Sequence, residues 1–263
     1  MSSTAPIRVA IIGLSSSAKT AWASRAHLPY LLSPLGRSKY QIVALLNSSV
    51  PAARAAIAAY DLPDTTRAYG DPAALAADAE VDLVVCTTRV DKHYETVLDS
   101  VKAGKDVFVE WPLAHDAQHA RELAELAHKA GGRSVVGAQG VRAPVALKLR
   151  ALLEEGKIGR VVSAELRVFG GLNDRVKTPE GLGYFTERKV GGNIYTIGFA
   201  HSEISLRSGG RNSADLSQFS IWFRVSWGNL PRSRATFTCS GQKFNSWTPL
   251  AIRSRLCAPT CQT

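Results

Sequence analysis

The sequence predicts an α/β fold in which a doubly wound parallel sheet is followed by a second, incomplete α+β domain. Over the first half of the 263-residue chain, short apolar runs alternate with helical patterns that stop at glycine. Such runs are typical of parallel strands covered by helices on both faces. After Gly140 this alternation ends, and a longer strand pattern and several glycines follow. The change places a domain boundary near residue 141.

Five strands are predicted for the first domain from runs rich in β-branched residues. They are Ile7–Ile12, 42–46, Leu83–Cys86, 107–109 and 134–136. The predicted helices are a Ser- and Ala-rich stretch that follows Gly13 and runs on to Pro29, then 52–60, 93–103 and Ala117–Ala130. The last two stop at Gly104 and Gly131, because glycine readily takes the conformation that ends a helix. Residues 5–140 are therefore expected to form one domain built on a doubly wound parallel sheet.

The region after residue 140 is expected to hold two further segments. Residues 141–206 show a helix at 145–155 and a strand at 161–169, and we interpret them as a partial substrate or oligomerisation domain. Residues 207–263 carry eight Lys and Arg against one acidic residue, a net charge of +7, and only one strand pattern, at 219–225. Such a composition predicts a poorly ordered basic tail. It is either the product of an altered reading frame or a retained intron, or a functional terminus.

Composition excludes several classes of protein. No apolar run approaches the roughly 18 residues that span a bilayer, and the first residues do not resemble a secretion leader, so we expect a cytoplasmic protein. The formal net charge of +10 belongs largely to the tail, and no nucleic-acid-binding motif accompanies it. Four cysteines without a CxxC or Cys/His spacing predict neither a disulfide framework nor a metal site, and the histidines at 27, 115, 119 and 128 show no metal-ligand partnership.

A glycine-rich turn after the first strand is where a dinucleotide fold receives the pyrophosphate. Residues 13–18 read Gly-Leu-Ser-Ser-Ser-Ala, so Gly13 keeps the first glycine of GxGxxG, Ser15 replaces the second and Ala18 stands at the third. Ser16 belongs to the same turn. Taken alone, this turn could also end a strand without binding a ligand.

The second predicted strand ends in Asn47 and Ser48, where an acidic residue would hold the ribose 2′-hydroxyl of NAD. Neither residue repels a 2′-phosphate, and no Arg follows immediately. The cofactor is therefore expected to be NAD or NADP, with the choice left open.

Three further segments carry a family resemblance. They are Trp-Ala followed by Ala-His-Leu-Pro at 22–29, Cys-Thr-Thr-Arg-Val-Asp-Lys-His-Tyr at 86–94, and Gly-Lys-Asp-Val-Phe-Val-Glu-Trp-Pro-Leu at 104–113. With the glycine turn, they resemble the Gfo/Idh/MocA oxidoreductase family over roughly residues 6–205. The resemblance is greatest to the fungal branch that contains the galactose-regulon repressor. It implies a Rossmann domain for NAD or NADP and a second domain that holds a sugar- or polyol-like substrate.

The resemblance also assigns site residues. Gly13, Ser15, Ser16 and Ala18 correspond to the pyrophosphate loop, Asn47 and Ser48 to the ribose end, and Thr87, Thr88 and His93 to the nicotinamide side. His93 could also cap a helix. Glu110 and Trp111 stand where the family has Glu-Lys, so the family lysine is missing.

The loss of that lysine leaves acid/base chemistry to other groups. An indole donates a hydrogen bond but does not titrate, so Trp111 cannot replace an ammonium. His201 ends a segment that resembles the family's Gly-rich motif, but Ile197 occupies its Asp position. His201 is either a general acid/base or a structural histidine, and Tyr195 is either a proton donor or a packing residue.

Three functions remain open on the sequence. The first is an NAD(P)-dependent oxidoreductase that transfers a hydride to or from a hydroxyl or carbonyl of a small polar molecule. The second is a non-catalytic NAD(P)-binding transcriptional regulator, which would bind a transcription factor and work in the nucleus. The third is a truncated product with neither activity. The expected partners are a small-molecule substrate and, beyond it, a second copy of the chain or a transcription factor, but neither a membrane nor nucleic acid.

Overall fold

A computed structural model describes residues 5–18, 21–138, 142–159, 164–169, 183–184, 187, 190, 220–226 and 235–238. Its main feature is a six-stranded sheet in the order β3-β2-β1-β4-β5-β6, and every pair of neighbours is parallel. The strands are β1 (Ile7–Ile12), β2 (Tyr40–Leu46), β3 (Arg67–Tyr69), β4 (Leu83–Cys86), β5 (Asp106–Glu110) and β6 (Ser134–Gly137). The predicted doubly wound parallel sheet is confirmed.

Helices cover both faces of this sheet. They are a π-helical turn (Ala23–His27) that continues into α1 (Leu28–Leu32), then α2 (Pro34–Arg37), α3 (Val50–Ala59), α4 (Pro72–Ala76), α5 (Val90–Lys102) and α6 (Ala117–Ala130). A further helix, α7 (Pro144–Glu154), follows β6 and buries none of its residues. One core cluster joins β1 and β2 to the π-helical turn, α1 and α3, with Ile11 and Leu45 fully buried. The second joins the opposite face to α4, α5 and α6, with Leu75 and Val97 fully buried.

Two elements of the first domain were not predicted. Strand β3 has only three residues, all half-buried, so it lacks the apolar run that marks the other strands. Helix α4 spans five residues and begins at the side chain of Asp71, which accepts a hydrogen bond from the amide of Ala74. Elements this short carry too few residues to show a period.

The helix expected directly after Gly13 begins later. Residues 14–18 are not helical, and the first helical residue described after them is Trp22, the N-cap of the π-helical turn. Elsewhere the predicted helices are shifted by a few residues: α3 starts at Val50 because Ser49 caps it, and α5 starts at Val90.

A second sheet has three strands in the order β7-β8-β9. β7 (Ala164–Phe169) is parallel to β8 (Ser220–Ser226), which is antiparallel to β9 (Ala235–Thr238). β7 and β8 correspond to the predicted strands 161–169 and 219–225, whereas β9 was not predicted. Two strands thus lie within the segment expected to be a poorly ordered tail, and its other residues are outside the described ones. No helix among the described residues has the length and apolar character needed to span a membrane.

Candidate functional site

The carboxyl ends of β1, β2, β4 and β5 lie along one edge of the sheet, because all four strands are parallel neighbours. In open α/β sheets, ligands bind beyond this edge, where connections from adjacent strands leave in opposite directions. Here β1 continues to β2 on one side while β4 lies on the other. Gly13, Asn47, Thr87 and Trp111 each follow one of these strands closely. The predicted cofactor residues therefore share one edge.

Gly13 makes the closest backbone approach at this edge. Its φ is +92°, which side chains rarely tolerate, and an added Cβ would lie 2.8 Å from Cγ2 of Thr88 and 3.4 Å from Oγ1 of Thr87. Its amide donates to the carbonyl of Leu46. The turn after β1 is thus pressed against the turn after β4, and only glycine fits between them.

The loop after Gly13 is held from its sides. The hydroxyl of Tyr60, at the end of α3, donates to the carbonyl of Ser15 at 3.1 Å, and the Ser15 hydroxyl accepts from the amide of Ser17 at 3.2 Å. Within the part of the chain that the structure describes, the amides of Ser15 and Ser16 donate no hydrogen bond. A pyrophosphate is bound by free backbone N–H groups of this kind, so the loop fits a dinucleotide. The described residues that follow Gly13, 14–18, are not helical.

Asn47 is used mainly to shape this loop. Its Nδ2 donates to the carbonyl of Leu14 at 2.9 Å and to that of Ala52 at 3.3 Å, while its backbone amide donates to Tyr69. Ser48 is exposed beside it. Among the described residues, the side-chain oxygen of Asn47 accepts no hydrogen bond, so it is available as an acceptor.

Thr87 joins the ends of β4 and β1. Its amide and its hydroxyl both donate to the carbonyl of Ile12, at 3.0 and 2.8 Å, and the residue is 8% exposed. Thr88 lies next to it, with its hydroxyl 3.4 Å from the sulfur of Cys86. Thr87 therefore fixes the turn after β4 against the end of β1, and its hydroxyl is already used in that contact.

His93 supports the site from behind. The ring is 1% exposed, with Nε2 2.9 Å from the carbonyl oxygen of Thr88 and Nδ1 2.9 Å from that of Pro112. Burial lowers the pKa of His93, although the two carbonyls favour the cation, so the ring is neutral and donates to one carbonyl at a time. His93 does not cap α5, because that helix starts at Val90 and its N-cap is Arg89.

The Glu110 carboxylate faces the π-helical turn that carries His27. Its Oε1 is 2.5 Å from Nε2 of His27, and its Oε2 would meet a Cβ on Gly137 at 2.8 Å. The ring of His27 also contacts the edge of Phe108. Trp111 follows and is joined to Pro112 by a cis peptide bond. Glu110 thus anchors the segment that carries Trp111.

Two supporting residues were missed by the sequence reasoning. Tyr60 ends an Ala-rich helix, and His27 lies 83 positions from Glu110, so neither contact has a local pattern. The segment containing His27 did enter the family resemblance, and that was the one signal for it.

The predicted catalytic residues His201 and Tyr195 lie outside the described residues. One described residue that precedes them in the chain is Tyr184. The centroid of its ring lies 4.8 Å from Cζ of Arg89. Arg89 directly follows Thr88 and caps α5. Burial raises the pKa of Tyr184, so its phenol stays protonated near neutrality. Tyr184, which lies beyond the first domain in the sequence, therefore contacts the turn that follows β4.

The chain is similar to proteins of known name. It is 35% identical over 195 residues to the dehydrogenase aclE of Aspergillus oryzae, a match covering 74% of this chain and 52% of that protein. It is 30% identical over 207 residues to the galactose/lactose metabolism regulatory protein GAL80 of Saccharomyces cerevisiae, covering 75% and 46%. A crystal structure of a super-repressor mutant of that yeast protein matches with a TM-score of 0.67 and 29% identity over 77% of this chain and 52% of the other. The chain spans about half the length of these relatives.

A family profile accounts for the first domain. The GFO_IDH_MocA profile, an oxidoreductase family with an NAD-binding Rossmann fold, matches residues 7–138, from the start of β1 to just past β6. This match confirms the predicted cofactor class, NAD or NADP, at the level of the family's dinucleotide fold. The match shows that the chain belongs to the Gfo/Idh/MocA oxidoreductase family, and the sheet order agrees with it.

Proposed function

We propose that this chain is an NAD(P)-dependent oxidoreductase acting on a hydroxyl or carbonyl of a small polar, sugar- or polyol-like substrate. The observation that carries the proposal is the turn after β1, where Gly13 has a φ of +92° and packs so closely against Thr88 that a side chain would have no room. The 35% sequence identity to a dehydrogenase supports a catalytic function. A nicotinamide bound at this edge supplies the hydride acceptor or donor.

The chain's own residues must then bind, orient and move a proton. The Ser15 and Ser16 amides hold the pyrophosphate, and Asn47 and Ser48 hold the ribose. Trp111, at the position of the family lysine, closes the nicotinamide side but takes up no proton. We assign proton transfer to His201, whose ordinary pKa of about 6.5 suits neutral conditions, with Tyr195 as a second donor.

The alternative is a non-catalytic NAD(P)-binding regulator that binds a transcription factor. The similarity to the GAL80 regulatory protein supports it, as does the replacement of a titratable residue by Trp111. In that case the cofactor is sensed and not turned over, and the protein works in the nucleus as well as the cytoplasm.

We assign a separate role to each of three consecutive segments of the chain. Residues 5–140 form the dinucleotide domain, residues 141–206 supply part of the substrate or oligomerisation domain, and residues 207–263 form an atypical basic tail. The partners are a small-molecule substrate, and either a second copy of the chain or a transcription factor. Neither a membrane nor a nucleic acid is part of the proposal.

Calorimetry with NAD and NADP, followed by a screen of polyols, sugars and their keto forms at the nicotinamide absorbance band, tests the proposal. Binding with turnover of at least one substrate class supports the oxidoreductase. Binding without turnover across the screen favours the regulator. Failure of the folded protein to bind either dinucleotide would remove the basis of both.

A further inference from the structure

Three side chains with metal-binding chemistry meet where α6 begins. Oδ2 of Asp116 lies 2.7 Å from Nδ1 of His119 and 3.1 Å from Nε2 of His115. One ligand atom from each residue can be chosen so that no two are more than 4.8 Å apart. The three residues follow an i, i+1, i+4 spacing, and both imidazoles face one carboxylate oxygen. None of them takes part in the dinucleotide cleft.

The local structure restrains this group before any ion binds. Oδ1 of Asp116 accepts the backbone amide of His119 at 2.8 Å and so caps α6, which turns Oδ2 toward the two rings. The rings of His115 and His119 are 4.6 Å apart and tilted by 37°. The ring of Tyr94, from α5, packs edge-on against His119 at 4.4 Å. The carboxylate and one imidazole are therefore already oriented.

The donor set is that of a borderline-soft divalent ion. Zn²⁺ takes imidazole nitrogen and carboxylate oxygen at about 2.0–2.2 Å, and sites with three protein ligands leave a fourth position for water. Tetrahedral ligand atoms at those bond lengths are about 3.4 Å apart, so the two N–O separations need little change and the imidazoles need a small rotation. The side chains keep 29%, 43% and 32% of their surface exposed at His115, Asp116 and His119, so an ion can reach them from solvent.

We propose that His115, Asp116 and His119 form a binding site for a first-row divalent transition metal ion, with Zn²⁺ as the probe. Binding replaces the two contacts to Asp116 by bonds from both imidazoles and the carboxylate to the ion. Each neutral ring then carries its proton on the nitrogen that does not bind the ion, and a ring that was doubly protonated releases one proton to solvent. The proposal departs from the sequence-based expectation that His115 and His119 lack a metal-ligand partnership.

Two features set the expected strength. A cation at a helix N-terminus is opposed by the helix dipole, which limits affinity. The carboxylate compensates for this, because its negative charge lies at the point where both imidazoles meet. We expect one site of moderate affinity. The bound ion would link the segment after β5 to the first turn of α6.

Calorimetric titration of the untagged full chain with ZnCl₂ tests the site. The wild type should bind one ion that is lost, or weakened more than about tenfold, in His119→Gln and in His115→Gln. His128→Gln, in an exposed position in the last turn of the same helix, is the matched control and should bind as the wild type does. Asp116→Asn keeps an oxygen to cap α6 but loses the charge, so it should fold and bind more weakly. Absence of binding to the wild type, or equal affinity in wild type, His115→Gln and His119→Gln, overturns the proposal.

Cobalt spectroscopy separates this site from the cysteines. Co²⁺ bound by two imidazoles and a carboxylate gives visible d–d bands without the near-ultraviolet charge-transfer band of a thiolate. Those bands should vanish in His119→Gln and persist in His128→Gln. A thiolate band in the wild type at one equivalent would place the ion on cysteine and contradict the assignment.

Discussion

The buried ring of His93 bridges two carbonyl oxygens, that of Thr88 after β4 and that of Pro112 after β5, each at 2.9 Å. It thereby couples the turn that faces Gly13 to the segment that carries Trp111. A neutral imidazole has one N–H, so only one of the two contacts is a hydrogen bond at a time.

This arrangement predicts a pH-dependent stability. Burial holds the pKa of His93 below its usual value, so the unfolded chain binds a proton on this residue at a higher pH than the folded chain does. The free energy of unfolding should therefore fall as the pH drops through about 6.5 and below. Urea unfolding at pH 7.5 and pH 5.5 should show this loss in the wild type and a smaller one in His93→Gln. At pH 7.5 the variant should be less stable by about 1–3 kcal/mol. An identical pH dependence in both proteins would contradict the prediction.

Gly13→Val should abolish dinucleotide binding. The new side chain would push into Thr88 and occupy the place where the pyrophosphate meets the backbone, and the φ of +92° adds strain. Calorimetry with NAD and NADP measures the loss. Gly131→Val is the matched control, because Gly131 also has a positive φ, +77°, but nothing lies within 4 Å of its added Cβ. The prediction is wrong if both variants bind alike.

Tyr60→Phe should weaken cofactor binding without abolishing it. The change removes the hydroxyl that holds the Ser15 carbonyl, and one such hydrogen bond contributes about 0.5–1.5 kcal/mol, or roughly a twofold to tenfold change in affinity. Tyr40→Phe serves as control, since Tyr40 packs against the ring of Tyr30, away from the loop. Equal affinities in the two variants would show that the hydroxyl does not shape the loop.

Trp111→Lys should raise the turnover of any substrate found in the screen. A lysine there restores a titratable donor at the nicotinamide side, and general acid/base groups contribute about 10²–10⁴-fold. His201→Ala should lower turnover by a similar factor. Trp22→Lys, at an exposed tryptophan, controls for the added charge. No change in rate with Trp111→Lys, together with full activity of His201→Ala, would remove this site from the mechanism.

The predicted strands share a continuous apolar, mostly β-branched run, which the central strand β1 and the edge strand β6 both carry. β1 and β4 are found at the predicted bounds, and β2, β5 and β6 extend theirs by one or two residues. Helix ends at glycine could also be predicted, because glycine readily takes the left-handed conformation that ends a helix. α6 ends in this way at Gly131, with a φ of +77°. β3 and α4 escaped prediction, because three and five residues are too few to show a period.

The sequence by itself determined the glycine at the β1 turn, the dinucleotide family and the loss of the family lysine, since each is a matter of residue type at a position along the chain. Only the tertiary structure decided that Thr87 bonds to Ile12, that Glu110 pairs with His27, and that Tyr60 steadies the loop. It also brought His115 and His119 onto one oxygen of Asp116. Such contacts depend on which strands become neighbours and on how side chains rotate once packed, and neither is encoded in a local pattern.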